Sequence, residues 1–296
     1  MIVGLVVKSH GHQLVVEVDG QQYLATAKGK KTEYVVGDKV ELNIVNSNQA
    51  QIIGAFPRSS VIFRSDNHKS KILASNITQL VIVIAAKPSF NSYFLNSCLI
   101  CAESQNITPL IVINKSDLPE TEKLINYVEP LYQNQLRYNT ISLSAAKECS
   151  KLLPLLSGYN NLLIGQSGVG KSTITNKIVP TAQARVGGLD KSERRGTHTT
   201  TNATFYHLDQ NTSLIDCPGL QEFGLSHLEV VGLAELFPEC RDLIGKCRFR
   251  NCHHMTEPSC AIILAAQSGT IDKTRLDFLQ YLTERLLNKA QTFGNN

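Results

Sequence analysis

The first 65 residues carry short stretches in which apolar and polar residues alternate, with turn residues between them. Such alternation is typical of strands with one buried face, and Asp19-Gly20 is a hairpin turn signal. Five strands are predicted in this way, at residues 2–7, 14–18, 23–27, 40–45 and 51–56. Five short strands in so short a segment predict a small closed β-barrel.

From about residue 66 to 228 the pattern changes to continuous apolar runs separated by helical stretches. Residues 80–86 and 109–114 are such runs, which are typical of strands buried on both faces of a parallel sheet. Residues 94–103 have helical spacing, and residues 161–165 form a further strand. This segment is therefore predicted to be an α/β domain with helices on both faces of the sheet.

The chain is predicted to be a multidomain α/β protein with three parts. Residues 1–65 form the barrel, for which the oligonucleotide-binding (OB) type is the natural candidate; residues 66–228 form the α/β domain, and residues 229–296 a mostly helical module. Lysines at 28–31 and Lys39 give the barrel a basic loop, which predicts either RNA contact or a plain solvated turn. Tyr23 and Tyr34 are its obvious aromatic residues, and both fit the barrel core equally well.

Composition and charge narrow the class of protein only modestly. With 296 residues, 42% hydrophobic and 18% charged, the chain is an ordinary globular protein, and its net charge of +4 permits a nucleic-acid partner without requiring one. No apolar stretch approaches the roughly 20 residues of a membrane span, and the first residues lack a signal-peptide layout. Eight cysteines without an export signal predict metal binding or buried thiols, and a cytoplasmic protein is expected.

A glycine-rich segment matches the G-x4-G-K-S phosphate loop, between a predicted strand and a predicted helix. Backbone N–H groups and the helix N-terminus would converge there on phosphate groups. Lys171 would supply charge to the β- and γ-phosphates, and the Ser172 hydroxyl would ligate Mg²⁺. The predicted phosphate-binding residues are Gly165, Gln166, Ser167, Gly168, Val169, Gly170, Lys171, Ser172 and Thr173.

Residues 114–117 have the N-K-x-D spacing of a guanine reader and follow a predicted buried strand. The carboxylate of Asp117 can accept the N1–H and N2–H₂ donors of guanine together, and adenine would leave that carboxylate unpaired. Asn114 can face the O6/N7 side of guanine, and the stem of Lys115 can cover the ring. The predicted base-binding residues are Asn114, Lys115, Ser116, Asp117, Ser144 and Ala145.

Two further segments complete the pattern of a GTP-dependent switch. Asp216, after an apolar strand, would hold Mg²⁺ through water, and the Gly219 N–H can sense the γ-phosphate. Residues 185–201 are predicted to be a switch loop whose threonine joins Ser172 as a Mg²⁺ ligand when GTP is bound. Thr200 is the first choice for that threonine, with its two neighbours as alternatives.

The catalytic residue is the least defined part of the sequence pattern. Leu220 stands where Ras-like enzymes carry the glutamine that orients the attacking water, so the chain alone should hydrolyse GTP slowly. His198 is the internal candidate for aligning the water. A partner that aligns it, with His198 an ordinary loop histidine, is the alternative.

Near the C-terminus, three thiols and one imidazole fall within fourteen residues, as Cys247-x4-Cys252-x-His254-x5-Cys260. This set suits tetrahedral Zn²⁺ in a structural site, since four protein ligands leave no open position. His253 competes with His254 as the ligand, and unliganded core cysteines are the alternative to a metal. Lysine and arginine residues at 246, 248 and 250 surround the set. Cys98-x-x-Cys101 is interpreted as buried packing rather than a redox pair.

The order of the motifs is rotated, because the base reader precedes the phosphate loop. Together with the barrel and the Cys₃His set, this order resembles the ribosome biogenesis GTPase A family of bacterial circularly permuted GTPases. The resemblance implies that barrel and zinc module contact ribosomal RNA. It further implies that the small ribosomal subunit stimulates hydrolysis and that GTP turnover releases the factor late in subunit maturation. Cys217, where threonine or serine is commoner, and the shortage of barrel aromatics depart from that pattern.

The expected partners are therefore GTP and GDP, the small (30S) ribosomal subunit and its 16S rRNA, with no membrane and a monomeric chain. The expected cofactors are one structural Zn²⁺, and Mg²⁺ with GTP. A GTP-dependent switch acting on a non-ribosomal partner is the alternative, and it leaves the barrel and zinc module unexplained. An RNA-binding protein with a degenerate GTPase domain is disfavoured, because Lys171, Ser172 and Asp117 are intact.

Overall fold

The computed structural model describes residues 1–10, 13–27, 33–66, 69–180, 203–217 and 224–294. Within those ranges, the helices are all too short or too polar to cross a membrane.

The N-terminal part is a five-stranded barrel, as predicted. Its strands are β1 (Ile2–His10), β2 (Gln13–Val18), β3 (Gln21–Ala27), β4 (Lys39–Asn46) and β5 (Gln49–Ala55). β1, β2 and β3 pair antiparallel, β3 pairs with β5 in parallel, and β4 closes the barrel between β5 and β1. Tyr34 is buried in the barrel core, whereas Tyr23 is partly buried and packs against that core.

A two-stranded hairpin that the sequence did not predict follows the barrel, with strands β6 (Val61–Asp66) and β7 (Lys69–Ser75). The predicted domain boundary at residue 65 falls inside this hairpin. Buried Asp38 ties the barrel to the hairpin, because its Oδ1 accepts hydrogen bonds from Arg58 Nε at 2.7 Å and Ser75 Oγ at 2.6 Å.

The α/β part is a six-stranded sheet in the order β10-β9-β8-β11-β13-β12. Its strands are β8 (Gln79–Ile84), β9 (Thr108–Ile113), β10 (Asn139–Ser142), β11 (Asn160–Ile164), β12 (Thr204–His207) and β13 (Ser213–Asp216). Only β12 runs antiparallel to its neighbour β13. Its helical segments are α1 (Ser92–Ser104), α2 (Glu120–Val128), a π-helix (Glu129–Gln135), α3 (Leu153–Leu156) and α4 (Lys171–Ile178). Separate apolar cores lie on the two sheet faces, so the predicted architecture is confirmed.

The C-terminal part contains two short 3-10 segments, Leu233–Leu236 and Pro238–Leu243, followed by α5 (Ala261–Gln267) and α6 (Lys273–Gly294). A buried polar cluster fastens this part to the α/β domain. Arg275, on α6, contacts Glu239 Oε1 at 2.6 Å and donates from Nη1 to Asn96 Oδ1, on α1, at 2.9 Å. The guanidinium also lies 4.7 Å from the centre of the Phe237 ring. This cluster could not be predicted from the sequence, because a charged helix residue is normally exposed.

Replacing Arg275 by alanine should destabilise the protein strongly. The change leaves Glu239 buried without its cation, and breaking a buried ion pair from one side costs about 3–5 kcal/mol. Chemical denaturation of Arg275→Ala measures the loss. Arg241→Ala is the matched control, since its pair with Glu103 is exposed on the arginine side and should cost under about 1 kcal/mol. Equal losses in the two variants would contradict the interpretation.

Candidate nucleotide-binding site and metal centre

The glycine-rich loop lies between β11 and α4 at the carboxyl edge of the sheet, as predicted. Gly170 precedes the first residue of α4 with φ 102°, and a Cβ there would lie 2.2 Å from Asn114 Nδ2. A Cβ on Gly165 would lie 2.4 Å from the carbonyl oxygen of Val83. Both positions therefore require glycine, because the loop passes so close to the neighbouring strand ends. Ser172 and Thr173 lie in the first turn of α4.

Lys171 is buried beneath this loop. Its Nζ donates hydrogen bonds to the carbonyl oxygens of Gly165 at 2.8 Å and Gln166 at 3.0 Å. Burial lowers the pKa of Lys171 to about 8, and the nearby carboxylate of Asp216 opposes that shift. Asp216 ends β13, which pairs with β11, and burial raises the pKa of its carboxyl group. One cation and one carboxyl group thus face the end of the phosphate loop.

The lowered pKa of Lys171 predicts that GTP affinity falls as pH rises. Phosphate binding favours the protonated lysine, so above pH 8 the complex must take up a proton as it forms. With a pKa near 8 in the free protein, affinity should fall about fourfold between pH 7 and pH 8.5. Calorimetric titration at the two pH values measures this change. Lys171→Arg should bind with little pH dependence, because arginine stays charged; an equal slope in both proteins would exclude Lys171 as the cause.

Asn114 joins the three predicted nucleotide-binding segments. It follows β9, donates from Nδ2 to the carbonyl oxygen of Val169 at 2.8 Å, and accepts at Oδ1 from the Ala145 amide at 2.9 Å. Lys115, with φ 61°, donates from Nζ to the carbonyl oxygen of Gly168 at 2.7 Å. The base reader, the phosphate loop and the second base-contact loop are therefore held together by direct hydrogen bonds.

Asp117 lies at the mouth of a cavity of about 200 Å³. Ser144 Oγ donates to its Oδ1 at 2.5 Å, and this bond lowers the pKa of Asp117, with smaller help from the charges of Lys147 and Lys115. The cavity is lined by Asn114, Lys115, Asp117, Leu118, Ser144, Ala145, Ala146, Gly170 and Thr173. Leu118, Ala146 and Lys147 were missed, although each directly continues a recognised motif. The Ser116 amide bonds the Leu143 carbonyl, which fixes the loop beside the cavity.

Several predicted residues lie outside the described residues: Gly219, Leu220, His198, Thr200 and the lysines at 28–31. Their predicted roles stay predictions. Cys98 and Cys101 are fully buried in α1, as the packing interpretation requires.

The four predicted metal ligands come together between the second 3-10 segment and α5. Their ligand atoms all lie within 4.8 Å of one another. Cys247 Sγ and Cys260 Sγ are 3.8 Å apart, and His254 Nδ1 lies 3.3–3.6 Å from the three sulfurs. A tetrahedral zinc ion with ordinary bond lengths requires edges of about 3.8 Å between sulfurs and about 3.6 Å between sulfur and nitrogen. The cluster is therefore compatible with one Zn²⁺.

The backbone around His254 holds this imidazole toward the three thiols. His254 has φ 60°, and its carbonyl oxygen accepts from Gln280 Nε2, on α6, at 2.9 Å. Glu257 accepts backbone N–H groups of His253 and Met255, each at 2.7 Å. His254, not His253, is the histidine of the cluster.

A parallel sheet with a glycine-rich loop opening a helix beside an N-K-x-D loop defines a P-loop GTPase, here with its motifs in circularly permuted order. The family model described as RsgA GTPase matches residues 55–226. "Small ribosomal subunit biogenesis GTPase RsgA" of Neisseria meningitidis serogroup B is 44% identical over 283 residues, covering 94% of this chain and 90% of that protein. The protein of the same name from Nitrosomonas europaea is 42% identical over 278 residues, covering 93% and 88%. The chain belongs to the RsgA GTPase family, and it is a GTPase.

Two solved structures share the fold. YjeQ from Thermotoga maritima matches with a TM-score of 0.74 at 25% identity, over 97% of this chain and 98% of that chain. YloQ, described as a circularly permuted GTPase, matches with a TM-score of 0.70 at 23% identity, over 98% and 96%. The barrel, the permuted GTPase domain and the C-terminal part thus match these structures as a whole.

Proposed function

We propose that this protein is a GTP-hydrolysing factor that binds the small ribosomal subunit, assists its late maturation and leaves when GTP is hydrolysed. One observation carries the proposal: base reader, phosphate loop and Asp216 converge in a chain whose curated relatives are named small ribosomal subunit biogenesis GTPases. The proposed factor works in the cytoplasm as a monomer, is slow alone and is stimulated by the subunit. Residues 1–65, 66–228 and 229–296 are its proposed domains.

The geometry of the cavity and the loop supports the proposed nucleotide roles of the described residues. Residues 165–173 hold the phosphates, and residues 114–117 with Ser144 and Ala145 hold the guanine base, because their hydrogen bonds fix one shared site. Ser172 and Thr200 ligate Mg²⁺, with Asp216 acting through water and the Gly219 N–H facing the γ-phosphate. His198 aligns the attacking water. Cys247, Cys252, His254 and Cys260 hold one structural Zn²⁺.

The test is GTP turnover by the purified protein, alone and with small ribosomal subunits, with Lys171→Ala as the inactive control. A large stimulation specific to the small subunit supports the proposal. It also explains how a protein with Leu220 in place of the water-orienting glutamine hydrolyses GTP. GTP binding without stimulation would leave a switch with a non-ribosomal partner. If stimulation is found, equal stimulated turnover in His198→Ala would remove the catalytic role of His198.

A loop between two metal ligands is suited to contact RNA. Phe249 is 41% exposed between Arg248 and Arg250, and the guanidinium of Arg248 lies 5.4 Å from the centre of its ring. Exposed Lys246 adds a third cation. An exposed aromatic ring among cations can stack on an unpaired base while the cations face phosphates.

Phe249→Ala should weaken subunit binding. Stacking one base is worth about 1–3 kcal/mol, so the dissociation constant should rise between about 5-fold and 150-fold. Binding to small subunits with a non-hydrolysable GTP analogue measures it. Ile244→Ala is the matched control, because Ile244 is a similarly exposed apolar residue, at 38%, that cannot stack on a base. Equal effects of the two changes would count against a stacking role.

A further inference from the structure

Strand β1 belongs to two sheets at once. Between Ile2 and Leu5 it pairs with β4 and closes the barrel. At Lys8 it pairs instead with β12 of the GTPase sheet, opposite Thr204. The pairing of β1 with β2 shifts register between Val6 and Lys8, and such a bulge bends a strand and redirects its end. The barrel is therefore joined to the GTPase sheet through the backbone.

A side-chain contact reinforces this joint. Glu17, on β2, lies opposite Leu5 on β1, and its Oε1 is 2.7 Å from Nε2 of His207, on β12. The Glu17 side chain is only 17% exposed and the His207 side chain 53% exposed. The β1–β12 strand contact and the Glu17–His207 pair are together called the barrel seam.

The barrel seam lies two strands from the proposed Mg²⁺ carboxylate. Thr204 pairs with Lys8 on one side and with Asp216, on β13, on the other. Since neighbouring strands are about 4.8 Å apart, β1 passes within about 10 Å of the Asp216 backbone. Strand β12 also begins a few residues after residues 185–201, the predicted switch loop.

Strand β12 depends on the barrel for its second neighbour. It has four residues and would be the edge of the GTPase sheet without β1. Short edge strands with few backbone bonds open at low free energy, so a contact on the free side changes their position or order. Phe205 and Tyr206 are only half-buried, so packing alone holds β12 less firmly than the central strands.

We propose that the barrel seam couples the barrel to GTP turnover. RNA contacts made by the barrel shift or tighten β12, and β12 in turn positions Asp216, its partner on β13. The coupling is reciprocal, so the bound nucleotide changes the order of β1. This inference rests on the proposed function for its RNA partner. Glu17 and His207 act as positioning residues, because neither lies in the nucleotide cavity.

A charge exchange tests the barrel seam. His207→Glu places two carboxylates together, Glu17→Lys removes the acceptor, and the double variant Glu17→Lys/His207→Glu places an oppositely charged pair at the same position. In the native protein, amide exchange of residues 2–10 should slow at least twofold when a non-hydrolysable GTP analogue with Mg²⁺ replaces GDP. His207→Glu should lose that difference and the double variant should recover it. Subunit-stimulated turnover should fall about fivefold in His207→Glu and recover in parallel in the double variant.

Two results would overturn the coupling. One is an amide exchange rate of residues 2–10 that is the same with either nucleotide, while the rate of residues 213–216 differs. The other is that His207→Glu loses the exchange difference and the stimulated turnover, and the double variant does not recover them. Absence of subunit stimulation in the native protein would instead refute the proposed function. The exchange measurements would still show whether the barrel seam couples β1 to the bound nucleotide.

Discussion

Asp117→Asn should convert the protein from a guanine-nucleotide binder to a xanthine-nucleotide binder. The carboxylate is proposed to accept two hydrogen bonds from guanine, and hydrogen bonds to a charged group are worth about 1.5–3 kcal/mol each. In the variant the asparagine NH₂ faces the N2–H₂ group donor to donor, and the remaining bond to N1–H loses its charge, so GTP binding should weaken by about two to four orders of magnitude. Xanthine carries a carbonyl at C2, to which the asparagine amide can donate while its oxygen accepts N1–H. Competition binding with GTP and xanthosine triphosphate (XTP) measures this change in nucleotide preference.

The same experiment includes its own controls. ATP should bind neither protein, and Lys171→Ala should lose GTP and XTP alike, because that change acts on the phosphates. Since Ser144 donates to Asp117 Oδ1, Ser144→Ala should weaken GTP binding less than Asp117→Asn and give no XTP binding. If the Asp117→Asn protein still binds GTP and does not bind XTP, the base binds elsewhere.

Removal of the proposed Zn²⁺ should unfold the loop between Lys246 and Cys260 and leave the GTPase domain folded. Zinc binding is worth about 10–16 kcal/mol in zinc-finger peptides, far more than the few hydrogen bonds of this loop. The buried contact of Arg275 with Asn96 lies outside the cluster and should keep α6 attached. Metal analysis should give one zinc per native chain. Limited proteolysis after chelation should cut inside the loop, with GTP affinity unchanged.

The two neighbouring histidines supply the matched pair of variants. His254→Ala should lose zinc, because His254 Nδ1 lies 3.3–3.6 Å from all three sulfurs. His253→Ala should keep it, since that residue contributes its backbone N–H to Glu257. Retention of zinc by His254→Ala and loss by His253→Ala would reverse the ligand assignment.

The sequence predicted the parts of the fold that local patterns determine. The alternation of apolar and polar residues predicted the five barrel strands. The continuous apolar runs at residues 80–86 and 109–114 predicted strands buried on both faces. The nucleotide motifs were placed correctly beside one another because they follow strands of one parallel sheet, whose carboxyl ends share an edge. The four candidate metal ligands could be recognised from their spacing, and the structure brings their ligand atoms within 4.8 Å of one another.

Two of the features that were missed depend on contacts between distant residues. β12 is a four-residue strand whose partner Lys8 lies far away in the chain, so no local period reveals it. Arg275 is fully buried, although its charge predicts exposure; only the nearby Glu239 and Asn96 make that burial stable. The β6–β7 hairpin was missed because its residues fall at the assumed change from barrel to α/β pattern.

Asn114 has a consequence for the order in which the chain folds during synthesis. Its acceptor Val169 lies 55 residues further along the chain, and its donor Ala145 lies 31 residues further. β9 and its parallel partners β8 and β10 therefore leave the ribosome before the phosphate loop, and the base loop gains its hydrogen bond to Val169 only once that loop has been made. Asp216 emerges later still. A nascent chain thus remains unable to bind GTP until most of the protein has been made, whereas an unpermuted GTPase completes its phosphate loop first.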